Sequence, residues 1–164
     1  MNAAARDVAA PTHWVLFALD AGRYALPLAA VERIVRAAEV TPLPLAPPVV
    51  LGALDVGGRI LPVFDLRQRF RLPRRPVGLN DEFVIARTAT REVVLAVDGA
   101  LGVVEYAAPP VATAALAPDL GHLRGIISHP DGLVLIQDLE HLLSPAESDA
   151  LDGALRAAEG RRAT

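Results

Sequence analysis

The sequence has no cysteine and no lysine. Without cysteine there is no disulfide framework, thiolate nucleophile or cysteine metal site. Without lysine there is no Schiff-base chemistry and no phosphate-binding loop of the Gly-Lys-Ser/Thr type. Aromatic residues make up 4% of the chain, so an interior must be filled by Val, Leu, Ile and Ala. Net charge is −3, which offers no basic footprint for nucleic acid. No apolar run reaches the roughly 20 residues of a membrane helix. The opening "MNAAARDVAAPT" lacks the basic start and apolar run of a secretory signal, and residues 1–12 are read as a disordered tail. These features fit a cytoplasmic protein without membrane insertion.

Apolar residues are plentiful at 52%, and 14 prolines and 12 glycines cut them into short runs, the punctuation of an all-β chain. "WVLFAL" and "RYALPL" flank a turn at Asp20–Gly22, and "VLGALDV" and "RILPVFDL" flank Gly57 and Gly58. "FVIART" and "EVVLAV" form a third pair, and "RGIIS" and "LVLIQDL" a fourth across Pro130, Asp131 and Gly132. The runs are continuous rather than alternating, which predicts strands covered on both faces.

The arrangement occurs twice. Gly52 and Gly125 stand 73 residues apart, as do Asp65 and Asp138, and Leu26 lies over Leu95 at an offset of 69. The predicted fold is therefore a pair of pseudo-duplicated small five-stranded β-barrels sharing a core. Short helical turns follow each Asp-Leu. The segment "AAVERIVRAAEV" is read as a turn and then a strand, and Pro42, Pro44, Pro47 and Pro48 as a rigid connector. From Glu147 to Glu159, Leu151, Ala154, Leu155 and Ala158 recur at helical spacing, with Ser144 or Ser148 as cap.

Two equivalent aspartates raise the idea of a carboxylate dyad sharing a proton, as in aspartic proteases. That chemistry needs a small hydroxyl residue and glycine after each Asp. Asp65 is followed by Leu66 and Arg67, and Asp138 by Leu139 and Glu140. The better expectation is that Asp65 and Asp138 cap helical turns, with Gln68 completing a capping box. The arginines at 67, 69, 71, 74 and 75 read as a solvated linker face. His13, His122, His129 and His141 show no metal-ligand spacing. No cofactor and no catalytic residue is expected, and a small-molecule-binding barrel or dyad hydrolase is the alternative.

In order and spacing these motifs resemble the CheW-type chemotaxis adaptors, from Trp14 to about Glu159. "TPLPLAPPVVLGALDVGGRILPVFDLRQRF" is similar to the family's proline connector, glycine and "PV-x-DLR" ending, and "LRGIISHPDGLVLIQDLEHLL" to its closing hairpin. The resemblance implies one CheW-like domain over 13–146, with subdomains of about 13–80 and 81–146, followed by a helix and tail over 147–164. It implies a non-catalytic adaptor between a chemoreceptor's cytoplasmic tip and the regulatory domain of a CheA-type histidine kinase, recruited to membrane receptor clusters. By position it places Val31 and Ile34 on an apolar strand in a partner groove, and Gly52 and Gly99 at turns of close approach. The family commonly has Asn-Leu-Arg-Gly where this chain has Asp55, Val56, Gly57 and Gly58, so the loop arginine is missing at Gly57 and Arg59 is its partial substitute. The family's acid is also one place early, at Glu32. These departures fit an adaptor of an alternative chemosensory pathway.

Overall fold

The computed structural model describes residues 13–106, 111–112 and 123–163. The expected tail at 1–12, and His122, lie outside them. Strands β1 (His13–Leu19), β2 (Gly22–Pro27), β3 (Val31–Arg36), β4 (Val50–Val56) and β5 (Arg59–Asp65) precede a single helical turn, α1 (Leu66–Arg69). Then come β6 (Glu82–Arg87), β7 (Glu92–Val97), β8 (Gly99–Glu105), β9 (Val111–Ala112), β10 (Leu123–His129) and β11 (Gly132–Gln137). A 3-10 turn (Leu139–His141) and helix α2 (Pro145–Ala163) close the chain.

The strands form two sheets, ordered β8-β1-β2-β11-β10-β9 and β3-β6-β7-β5-β4. In each, the hairpin of one repeat lies between the third strand and the closing hairpin of the other. β1–β2 is flanked by β8 and by β11, and its counterpart β6–β7 by β3 and β5. The joins correspond as well, since β11 pairs parallel to β2 and β5 parallel to β7. Even the irregularities repeat: β4–β5 shifts register between Val50 and Gly52, and β10–β11 between Leu123 and Gly125. The repeats are real, but the sheets do not divide the chain near residue 80. Identical hairpin patterns in the two repeats leave the sequence silent on which copy pairs with which. The sixth strand of the first sheet is the two-residue β9, and its counterpart is an isolated bridge from Thr41 to Ala53.

Coverage of both faces explains the continuous apolar runs. Along β6, Val84 and Ala86 enter the core shared by the two sheets, while Phe83 and Ile85 enter a separate core inside the second sheet. β7 alternates likewise, Val93 and Leu95 against Val94. A third cluster, with Trp14, Leu16 and Ile136, fills the first sheet. The shared core also takes Leu142, Leu151 and Ala154, so α2 is docked rather than free. Helix α2 starts two residues before the expected Glu147 because Ser144 caps it. Glu147 N–H donates to Ser144 Oγ at 3.1 Å, Ser144 N–H to Glu147 Oε1 at 2.9 Å, and Pro145 takes the first helical position.

Candidate partner-binding site

Asp65 ends β5 and Asp138 directly follows β11, each at the point where the chain turns into a helix or 3-10 turn. Asp65 Oδ1 accepts from the N–H groups of Arg67 (3.0 Å) and Gln68 (3.4 Å). Asp138 Oδ1 accepts from Glu140 N–H (3.1 Å), and its Oδ2 lies 2.7 Å from His141 Nδ1. Both carboxylates thus face amides of their own first turns, an arrangement of caps rather than of a proton-sharing dyad. The expected box at Gln68 is absent. Asp65 N–H is taken by the Val49 carbonyl (2.7 Å), and Gln68 Oε1 is buried without a partner. A cleft of about 330 Å³ nearby is lined by Phe64, Arg91, Glu140 and Ser148 among others, and neither aspartate contributes to it. Among the described residues no group of three or more His, Asp or Glu could hold a metal ion.

The residues expected to meet partners are distributed as follows. Val31 and Ile34 are half-buried and pack against the shared core, so the side β3 offers to solvent is Glu32, Arg33 and Arg36. The strand at this edge of its sheet is charged where an apolar contact was expected. Gly52 does permit a close approach, by the chain's own connector. A Cβ there would collide with the Thr41 carbonyl oxygen and stand 2.7 Å from Val40 Cγ1. Gly99 needs no such freedom, because an added Cβ would rest 3.7 Å from Glu82 Oε1. Gly57 and Gly58 have φ of 59° and 91° and join β4 to β5 by a two-residue loop, the type I′ turn that matches strand twist. Asp55 Oδ1 accepts from Gly58 N–H at 2.8 Å and fixes that turn.

Arg59 follows this turn and reaches across the sheet. Its guanidinium meets Glu32 at 3.2 Å and donates to Glu92, which also lies 3.6 Å from Arg87. Two strands separate β5 from β3 in the sheet order, so the contact shows how strongly this sheet curls. The hydrogen bond from Arg59 holds the Glu92 carboxyl below its ordinary range. The displaced acid and the displaced base of the sequence pattern therefore meet each other.

Sequence reasoning missed Arg67, which is not on a solvated face. It is buried, with its guanidinium bonded to Asp20 Oδ1 (2.6 Å), to both Asp98 oxygens (2.6 and 2.8 Å) and to the Pro73 carbonyl (3.2 Å). Asp20 belongs to the β1–β2 turn and Arg67 to α1, so the contact ties the two sheets together. Arg75 extends the network with paired bonds to Asp81 at 2.8 Å and one to Asp98 at 2.6 Å. Burial pushes Asp98 upward, but the Arg67 bonds and the Asp20 N–H outweigh it and hold the carboxyl below its usual range. The Arg75 bond does the same for Asp81 against a smaller burial effect. Arg69 is also engaged, with Glu147 of α2, both bonds 2.8 Å. Of the arginine run, 71 and 74 keep the expected solvated character, and Arg75 is exposed yet held in ion pairs. The available signal was the burial-prone setting of Arg67 between Leu66 and Phe70.

Known proteins settle which fold this is. The family model of the CheW-like domain matches residues 13–147. The chain belongs to the CheW-like domain family. A chemotaxis protein CheW of Treponema pallidum (strain Nichols) is 24% identical over 146 residues, covering 84% of this chain and 85% of that protein. A chemotaxis protein CheW of Klebsiella aerogenes is also 24% identical over 146 residues, covering 87% and 88%. The crystal structure of the scaffolding protein TtCheW from Thermoanaerobacter tengcongensis shares the fold, with a TM-score of 0.77 at 24% identity over 84% of this chain and 96% of that one. CheW-like domains are non-catalytic scaffolds. No helix of the described residues is long and apolar enough to cross a membrane.

Proposed function

We propose that this chain is a chemosensory adaptor that couples the cytoplasmic tip of a chemoreceptor to the regulatory domain of a CheA-type histidine kinase. The observation that carries this reading is the CheW-like fold, matched over 13–147, with both equivalent aspartates committed to capping. A dyad hydrolase would need those carboxylates free, and a ligand-binding barrel would need an open interior where Phe83, Ile85 and Val94 are packed. On this reading the protein works in the cytoplasm and joins receptor clusters by contact. The glycine turn at 57–58 and the Glu32–Arg59–Glu92 cluster support an alternative pathway, because they present a rebuilt charged surface in place of the family's loop arginine.

The test is reconstitution with the kinase and receptor of the same organism. Receptor-bearing membranes, kinase and this protein are mixed and sedimented. The kinase is expected in the membrane pellet only when this protein is present. Sedimentation of the kinase to the same extent without it, or absence of this protein from the pellet, would overturn the reading. Arg59→Gln, which removes the charge between Glu32 and Glu92 without adding a third carboxylate, is expected to reduce capture, with a melt of the free protein alongside to show that the fold is kept.

A further inference from the structure

The two repeats correspond residue by residue, yet they fill one equivalent place differently. Phe17 is paired with Tyr24 in the β1–β2 hairpin, and Ala86 with Val93 at the same position of β6–β7. Phe70 corresponds to Leu143 at the offset of 73 that relates Asp65 to Asp138. In the first repeat these positions hold three rings in contact. The centroids of Phe17 and Tyr24 are 5.8 Å apart, and those of Tyr24 and Phe70 4.8 Å. In the second repeat alanine, valine and leucine take their places, and Val93 and Leu143 line the cleft of about 330 Å³. Phe64, whose counterpart is Gln137, returns one ring to its lining.

The cleft is open from outside and firm within. Phe64 and Val93 are buried at its floor, while Thr90, Glu140 and His141 are exposed at its rim. Glu140 Oε2 accepts from Ala89 N–H at 2.9 Å, which ties the 3-10 turn to the β6–β7 turn. Arg91 donates to Ser148 Oγ (3.4 Å) and to Asp152, which ties the same hairpin to α2. Thr88 Oγ1 accepts from Arg91 N–H at 3.1 Å and holds the hairpin turn itself. A flat ring entering here would bury its faces against Phe64, Val93 and Leu143, with the Arg91 guanidinium at its edge. Walls already fixed in this way lose little entropy on binding.

We infer that this cleft receives an aromatic side chain, tyrosine or phenylalanine, from a partner protein of the adaptor assembly. The molecule's own first repeat shows what fits between a hairpin and the turn after a capping aspartate, and it is a ring. That a partner supplies the ring rests on the adaptor reading, whereas the site itself does not.

The free protein is titrated with N-acetyl-tyrosinamide, and with N-acetyl-leucinamide as the aliphatic control, while the methyl resonances of Val93 and Leu143 are followed by NMR. The tyrosine amide is expected to shift both saturably and the leucine amide to leave them in place. No response, or the same response to both amides, would overturn the proposal. Val93→Tyr and Leu143→Phe install from within the residues that the first repeat uses. At least one is expected to keep or raise Tm and to abolish the response to the tyrosine amide. A lowered Tm in both variants would show that no ring fits and would overturn the proposal, as would a response that survives in a stable variant. In the sedimentation assay the stable variant should need about tenfold more protein for half-maximal capture of the kinase, the loss typical of an interface anchor. Unchanged capture would overturn docking at this cleft. A wild type that binds the tyrosine amide yet captures no kinase would refute the adaptor reading while upholding the aromatic site.

Discussion

Arg67 meets carboxylates that stand 47 and 31 residues from it in sequence, and it does so almost out of water. Breaking a buried ion pair by removing one partner leaves charge without compensation, at a cost of about 3–5 kcal/mol, and the partial exposure of Asp20 places this network near the lower end. Arg67→Ala should therefore cost about 3 kcal/mol in urea melts. Arg67→Lys should recover only part of it, because an ammonium cannot form the paired bonds to Asp98. The network also fixes an acid limit. Asp81 and Asp98 are held below their unfolded range, so their contribution is complete above the unfolded value near pH 4 and fades as pH falls toward the folded one. The thermal midpoint should stay level from neutral pH to about 5 and drop below about 4. Asp98→Asn should lower the neutral midpoint and flatten the acid slope; an unchanged slope would place the acid sensitivity elsewhere. By contrast Asp65→Ala should cost about 0.5–2 kcal/mol, the usual loss of a cap. The caps were legible in the sequence because capping is settled within four residues. The Arg67 contacts were not, because nothing local names partners so distant.

Elements show the same division between local and distant causes. The β4–β5 hairpin is legible from its two glycines, and its type I′ turn admits asparagine at Gly57 at little cost. Arginine there lacks that tolerance and should destabilise the free protein by roughly 1–2 kcal/mol, although nothing lies within 4 Å of an added Cβ. A strengthened partner contact by Gly57→Arg must be judged against that loss. Gly52→Ala should be worse, about 1–3 kcal/mol, because the obstacle is the backbone of the connector rather than a movable side chain. Comparing both melts separates conformational strain from collision. The helical period of α2 was readable from Leu151 and Ala154, while its tethers to Arg69 and Arg91 were not. On β3 the resemblance places Val31 and Ile34 at a partner groove, and in the structure both are half-buried against the shared core.

At the scale of the molecule, the duplication was visible but its exchange was not. β1 and β2 need β8 and β11 as neighbours, and β6 and β7 need β3 and β5. Neither half of the chain can complete a sheet from its own strands. Urea should unfold the protein in one transition, with tertiary and secondary probes coinciding. Fragments 1–80 and 81–164, produced separately, should show little native structure, and mixing them should restore the native circular dichroism. Independent folding of either fragment would contradict the exchanged arrangement. The exchange has a further meaning for a lone repeat. Such a chain would have to find its missing strands on another molecule, as a swapped pair whose survival varies with dilution. Joining the two repeats through residues 66–81 makes that encounter intramolecular. The protein thereby keeps the two-fold plan of a dimer, yet its folding does not depend on how much of it is present.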